Sequence, residues 1–153
     1  MSVEEFWNKF LVVSNLDSNI KYYEAFCFGG MSDEINDSLL ELVLSGKKKA
    51  TTCAYIDEEE YPHIGSYSII TNSKGEPKCV VQTTATHILR LKDMKLELAI
   101  KEGEGDSLDK WFFEHNMIFE AESKELGYQF SMDMPIFFEE FELVYKEWFP
   151  SII

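Results

Sequence analysis

The stretch LLELVLSGKKKATTCAY, residues 39–55, combines the end of a helix, a tight turn and the start of a strand. Ile35, Leu39, Leu42 and Val43 recur at helical spacing after Ser32. Because a serine N-cap followed by acids favours a helix start, this pattern predicts a helix over 33–45. Gly46 suits the position after a helix end, and the threonine-rich residues that follow predict a strand over 50–55.

The segments around this stretch alternate between strand and helix patterns. Ser2 and Glu5 form a capping box that predicts a helix over about 2–13. Residues 21–28 are aromatic and fit either a helix end or a strand. Further predictions are strands over 67–71 and 78–89 joined by a turn at 72–75, a short helix over 91–100, a helix capped by Asp106 or Ser107, a continued or restarted helix over 117–126, and a closing strand after Pro135.

These elements predict one α+β domain over 1–153, with short, mostly antiparallel strands and helices inserted between them. Its length suits one domain, and 45% hydrophobic residues are enough for a core. The formal net charge is −14. Duplex DNA and anionic membrane surfaces both attract proteins through Lys and Arg, so these two partners are disfavoured.

Metal ligation and disulfides are also disfavoured. Cys27, Cys53 and Cys79 are widely spaced, and the three histidines lie apart from them, so no zinc-binding spacing occurs. Reduced cysteines and an acidic, aromatic N-terminus unlike a signal peptide favour a cytoplasmic protein. The expectation is a protein without a metal or an organic cofactor.

The basic turn GKKK, residues 46–49, has two interpretations. Its lysines could be a solvated complement to the preceding helix dipole. Alternatively, the turn at Gly46 lets Lys48 fold back toward Thr51, and a lysine beside a threonine hydroxyl is a base and nucleophile pair. Backbone N–H groups near Gly46 would then be candidate oxyanion donors.

The acidic loop EGEGD, residues 102–106, also has two interpretations. It could be an exposed loop that caps the next helix. Alternatively, its glycines allow a close backbone approach to a ligand, while Glu102 or Glu104 holds the lysine charge or accepts from an exocyclic amine. His115 follows Trp111 by four residues and shares its helix face, and here a core or edge histidine is favoured over a ligand contact.

Four segments together resemble ASCH-domain proteins. They are FCFGG (26–30), LLELVLSGKKKATT (39–52), PHIGSYSIIT (62–71) and AIKEGEGDSLDKWFFEHNMIF (99–119). The pattern is similar to a bacterial subgroup with G-x-K-x-x-T, E-G-E-G-D and a following tryptophan and histidine, and it covers about 25–146. The resemblance implies a PUA-like fold: a small mixed, mostly antiparallel β-barrel with surrounding helices.

The resemblance also implies work on RNA or modified nucleosides. Some family members resemble amidohydrolases that deacetylate N4-acetylcytidine with a lysine, a threonine and a glutamate. Carried over, these are Lys48, Thr51 and either Glu102 or Glu104. Substrate contacts are expected from Phe28, Gly46, Lys47, Asp106, Ser107, Trp111 and His115. This chain has Cys53-Ala54 where the small amidohydrolase members commonly carry an arginine.

Two functional hypotheses follow from the resemblance. In the first, Lys48 takes the Thr51 proton, Thr51 attacks an acyl carbonyl, and the partner is a small nucleoside-like ligand. In the second, the same pocket belongs to a non-catalytic RNA-binding module or a ribonuclease, and the lysines contact the phosphate of a single-stranded RNA. The acidic composition favours the first hypothesis.

Overall fold

The computed structural model describes residues 1–29, 32–57 and 59–147. Outside these ranges lie Gly30 of the FCFGG motif, Glu58 and residues 148–153. The expected 1–153 domain includes these residues, and that part of it is not described. The helices are α1 (Val3–Val13), α2 (Asp33–Leu44), α3 (Leu96–Ala99) and α4 (Leu108–Leu126), and the strands are β1 (Glu24–Phe26), β2 (Ala50–Ala54), β3 (Tyr67–Thr71), β4 (Pro77–Arg90) and β5 (Pro135–Lys146).

The five strands form one curled, half-barrel sheet in the order β1-β3-β4-β5-β2. β1 runs parallel to β3, and every other neighbouring pair is antiparallel. The expected α+β, mixed and mostly antiparallel PUA-like architecture is therefore confirmed. Within the described ranges, β1 and β2 are the two outer strands and do not pair with each other, so a seam lies between them.

Helices cover the sheet with apolar faces. α1 buries Phe6, Trp7 and Phe10 against Ile69 and Val80 of the sheet. Full burial of side chains of this size contributes about 1.5–3 kcal/mol each. α2 packs in a second cluster through Leu40 and Val43, and α4 packs in a third through Trp111 and Phe119. α2 and α4 lie beside the seam and carry the segments that flank it.

Several local predictions are confirmed. Ser32 caps α2, and Gly46 follows its C-cap with a φ of 82°. Asn72-Ser73-Lys74-Gly75 joins β3 to β4 as an antiparallel hairpin. The segment 117–126 continues α4 without a break until Gly127, and the cap of α4 is Ser107 rather than Asp106.

The single helix expected over 91–100 is wrong. The chain makes a 3-10 turn at Leu91–Asp93, the short α3, and a second 3-10 turn at Ile100–Glu102. The backbone N–H groups of Leu91 and Lys92 donate to carbonyls of Met134 and Met132, so the chain just before β5 contacts this segment. Tertiary contact therefore overrides the helical pattern. No helix within the described ranges is long and apolar enough to cross a bilayer.

Candidate functional site

The basic turn and the acidic loop lie directly against each other. The Lys49 N–H donates to the Lys101 carbonyl at 2.8 Å. Gly103 has a φ of 72°, and a Cβ built on it would be 2.3 Å from the carbonyl oxygen of Lys47. Gly103 is therefore needed for the close approach of one backbone to another.

Lys48 is the buried member of the three lysines, at 3% exposure, whereas Lys47 and Lys49 are exposed. Its Nζ lies 2.9 Å from Glu104 Oε2 and 3.7 Å from Glu102 Oε1. Both candidate glutamates thus contact the same ammonium group. The Nζ also lies 5.4 Å from the centroid of the Phe28 ring, within range of a cation–π contact.

Glu102, at 2% exposure, is the centre of a hydrogen-bond network. Its Oε2 accepts from the indole N–H of Trp111 and from the Thr52 hydroxyl at 3.1 Å, and its Oε1 lies 3.3 Å from His115 Nε2. Burial by itself raises the pKa of Glu102. The hydrogen bond and charge of His115, the charge of Lys48 and the Trp111 N–H together outweigh burial and lower that pKa below its ordinary value.

Trp111 fixes the position of the His115 ring. The two rings stack at 3.9 Å with an interplanar angle of 14°, and His115 Nδ1 lies 2.8 Å from the Trp111 carbonyl oxygen. Burial lowers the pKa of His115, but the hydrogen bond to Glu102 and the Glu102 charge outweigh it and raise the pKa. Since both ring nitrogens face acceptor oxygens, the geometry favours the doubly protonated imidazolium. His115 thus belongs to the Glu102 network, although its spacing favoured a core or edge position.

Thr51 and Thr52 point to opposite faces of β2 because side chains alternate along a strand. Thr52 shares its face with Ala50 and Ala54 and bonds to Glu102. Thr51 faces the other way and lies opposite Glu139 of β5. The hydroxyl that joins the network is therefore that of Thr52, which the motif did not single out. Strand alternation was the signal that separated the two threonines.

A cavity of about 400 Å³ lies at the seam, within the size range of small-molecule sites. Both outer strands line it, together with α4 and the two loops that carry Lys48 and Glu102. Of the candidate residues, the lining includes Phe28, Lys48, Thr51, Glu102, Glu104 and His115. Its described walls carry eight glutamates and one lysine, so the cavity is strongly acidic.

Five candidate residues lie outside this lining. The hydroxyl of Ser107 accepts from the Lys110 N–H as the α4 cap, and Asp106 is exposed. Trp111 lies behind Glu102 and orients it. Gly46 and Lys47 are exposed, and the N–H groups of residues 46–48 donate to carbonyls of α2, so they are not free oxyanion donors.

Among the described residues, no group of three or more His, Cys, Asp or Glu side chains is arranged to hold a metal ion. The site consists instead of one ammonium, carboxylates, hydroxyls and an imidazole. Such a set can move protons, orient a nucleophile and bind hydrogen-bonding ligands without further groups.

The curled, mixed half-barrel sheet is that of a PUA-like domain. Solved ASCH structures have the same fold. The family model for the ASCH domain matches residues 24–145, and the chain belongs to the ASCH domain family. α1 precedes the matched region.

Two solved structures are similar over nearly their whole length. Protein EF3133 from Enterococcus faecalis V583, described by the DUF984 family model, is 33% identical with a TM-score of 0.83, and the match covers 94% of this chain and 92% of that one. An ASCH domain from Lactobacillus crispatus JV V101 is 26% identical with a TM-score of 0.80, covering 92% of each chain. No functionally curated protein matches the chain.

Proposed function

We propose that this protein hydrolyses the acyl group of a small modified nucleoside of the N4-acylated cytidine type. The observation that supports this most is the buried Lys48, whose Nζ lies between Glu104 and Glu102 on the wall of a cavity that could hold a nucleoside. Membership of the ASCH family is consistent with a role related to RNA. The proposal narrows that role to a single, small substrate.

The charge of the cavity supports a ligand without phosphates. Its described walls carry eight glutamates against one lysine, and Lys48 is already paired with two of the eight. A phosphate placed here would meet repulsion in a partly desolvated space, where charges interact more strongly than in water. A neutral nucleoside avoids this cost and offers N–H donors to the carboxylates.

In the proposed mechanism, Lys48 first passes its resting proton to Glu104, 2.9 Å away, and becomes a neutral amine. Thr51 lies on the other face of β2 from Thr52, but it and Lys48 both line the cavity. The Thr51 oxygen then attacks the acyl carbon while its proton moves to Lys48, directly or through one water. The carbon–nitrogen bond breaks, and Lys48 returns the proton to the leaving nitrogen. Water hydrolyses the acyl-threonine ester, releasing the carboxylic acid and restoring Thr51.

Glu102 has a different task in this scheme. Its lowered pKa keeps it ionised, and Trp111, Thr52 and His115 surround its two oxygens, so its role is to hold charge in place. It holds Lys48, His115 and Thr52 in fixed positions along the edge of β2. Such preorganised charge is a major part of catalysis in partly desolvated sites.

The test is release of acetate and cytidine from N4-acetylcytidine, followed by NMR. We expect Lys48→Ala and Thr51→Ala to lower the rate at least about 100-fold, the usual scale for loss of a positioned proton-transfer group or nucleophile. Lys47→Ala is the matched control, since Lys47 is adjacent but exposed and outside the cavity, and its rate should stay within about twofold of wild type. Lack of turnover by the wild-type protein, or full activity in Lys48→Ala, would sink the proposal.

A further inference from the structure

A second buried carboxyl group faces the same cavity but takes no part in the Lys48 network. Glu139 of β5 lines the cavity and is only 8% exposed. It lies directly opposite Thr51 in the β2–β5 register, so the two side chains share a face about 4.5–5.5 Å apart at Cβ. No sequence motif marks Glu139, which sits within the apolar strand IFFEEFELVY.

Thr83 fixes one end of this carboxyl group. Its hydroxyl donates to Glu139 Oε2 at 2.7 Å, and Thr83 is itself buried. The register of β4 against β5 shifts between Thr83 and Ala85, which makes a β-bulge next to this bond. Bulges often redirect a side chain beside a functional site. The Thr83 hydroxyl and the bulge in β4 therefore fix the orientation of the Glu139 side chain.

The other oxygen of Glu139, Oε1, receives no hydrogen bond from the described residues. The protein does not fully enclose this oxygen, and the residue lines the cavity, so Oε1 is open to the cavity. Buried carboxylate oxygens are normally hydrogen-bonded, because an acceptor that loses water without gaining a partner destabilises the fold. Oε1 thus presents an acceptor to whatever occupies the cavity.

Among the described residues, no cation contributes to the shift in the pKa of Glu139. Burial raises the pKa of Glu139, and the negative charge of Glu24 on β1 raises it further. Tyr23 lies near the same charges, and burial and these charges raise the pKa of its hydroxyl to about 12, so it stays neutral. A ligand that donates an N–H would supply the hydrogen bond that Glu139 Oε1 lacks. An anion would instead add to the electrostatic repulsion in this part of the cavity.

We infer that Glu139 is a specificity-determining residue that accepts a hydrogen bond from an N–H of the ligand, such as the exocyclic amine of a cytosine, with Thr83 as its positioning residue. The nucleoside class of the ligand rests on the proposed function. Thr51, on the same face, then lies beside the nitrogen that carries the acyl group. This arrangement distinguishes a cytosine, which presents an amine, from a uracil, which presents a carbonyl oxygen at the same place.

The experiment compares the binding of cytidine and uridine by isothermal titration calorimetry. Wild type should prefer cytidine by at least about tenfold, as expected for one hydrogen bond to a charged or buried acceptor. Glu139→Gln should reduce the preference to less than about threefold, because its amide offers both a donor and an acceptor. Glu142→Gln removes one negative charge from an exposed position of the same strand, outside the cavity, and should leave the preference unchanged.

Thr83→Val provides a second variant that keeps the carboxyl group and removes the hydroxyl that orients it. We expect an intermediate preference, and it remains informative if Glu139→Gln does not fold, as judged by near-UV circular dichroism. A wild-type protein without preference for cytidine, or an unchanged preference in both variants, overturns the role of Glu139. Because these are binding measurements, a loss of selectivity supports that role even if N4-acetylcytidine is not hydrolysed, and that second outcome sinks only the hydrolase proposal.

Discussion

At the scale of single residues, burial separates side chains that look equivalent in the sequence. Lys47, Lys48 and Lys49 are consecutive, yet only Lys48 turns inward, to Glu102 and Glu104. Its position in G-x-K-x-x-T singles it out in the sequence. Glu102 and Glu104 were not separable by spacing, and the structure brings both to the same amine in different ways: Glu102 fully buried, and Glu104 partly exposed.

The Glu102–His115 pair gives a pH prediction. The pKa of Glu102 is lowered from 4.5, so its contribution to stability is present above that value and is lost as the pH falls through the lowered pKa. The pKa of His115 is raised from 6.5, so its contribution is full below 6.5 and is lost as the pH rises through the raised pKa. The pair should therefore stabilise the fold most between about pH 4.5 and 6.5.

The measurement is urea denaturation of wild type and His115→Gln across this pH range. We expect the variant to lower the free energy of unfolding by about 1.5–3 kcal/mol near pH 5.5, and by less at pH 9. His63→Gln is the control, because His63 is exposed and lies outside the network. A difference between wild type and His115→Gln that does not change with pH would contradict the charged pair.

At the scale of elements, the site depends on the contact between the basic turn after α2 and the acidic loop before α4. Sequence patterns gave both flanking helices, including the Ser32 cap, the positive-φ glycine after α2 and the Gly127 end of α4. They also gave the β3–β4 hairpin. Residues 91–102 were not predictable in the same way, because contacts with the chain before β5 decide their conformation.

Gly103→Ala tests this loop contact. A Cβ there would lie 2.3 Å from the Lys47 carbonyl oxygen, on a backbone with positive φ. Gly75→Ala is a matched control, since Gly75 has a similar φ of 81° in the hairpin but open space around its Cβ position. We expect Gly75→Ala to cost about 1–2 kcal/mol of unfolding free energy and Gly103→Ala to cost at least about 1 kcal/mol more.

Gly103→Ala should also lower turnover of N4-acetylcytidine, because it pushes Glu102 and Glu104 away from Lys48, whereas Gly75→Ala should not. Equal unfolding free energies for the two variants would mean that the close approach at Gly103 carries no strain, and that the loops are held together in another way.

At the scale of the whole molecule, the net charge and the charge of the cavity both favour a neutral ligand over a polyanion. The chain carries a formal charge of −14, and the described cavity walls concentrate glutamates. Lys and Arg side chains that contact RNA phosphates displace the counterions bound to the RNA. The affinity for RNA would therefore fall steeply as the salt concentration rises. A neutral nucleoside involves no such term, and its binding should be nearly independent of salt.

Titrations at several salt concentrations separate these cases. We expect cytidine affinity to change less than about twofold between 0.05 and 0.5 M salt, and a labelled single-stranded RNA to bind more weakly than cytidine at about 0.15 M. Lys47→Ala combined with Lys49→Ala should not alter either result. Tight RNA binding that falls steeply with salt and is lost in this double variant would instead favour an RNA-binding module.

The sequence by itself determined most of the helices and strands, the ASCH motifs and the choice of Lys48 among the three lysines, because caps, periodicity and the G-x-K-x-x-T spacing are local properties. Tertiary structure alone decided which groups meet: Thr52 and His115 on Glu102, Trp111 behind it, and Glu139 beside Thr51. Those pairings depend on strand register and on the approach of loops some fifty residues apart. A one-residue change in register would turn the strand side chains Thr51, Thr52 and Glu139 to the other face of the sheet, and pairing across the sheet decides that register.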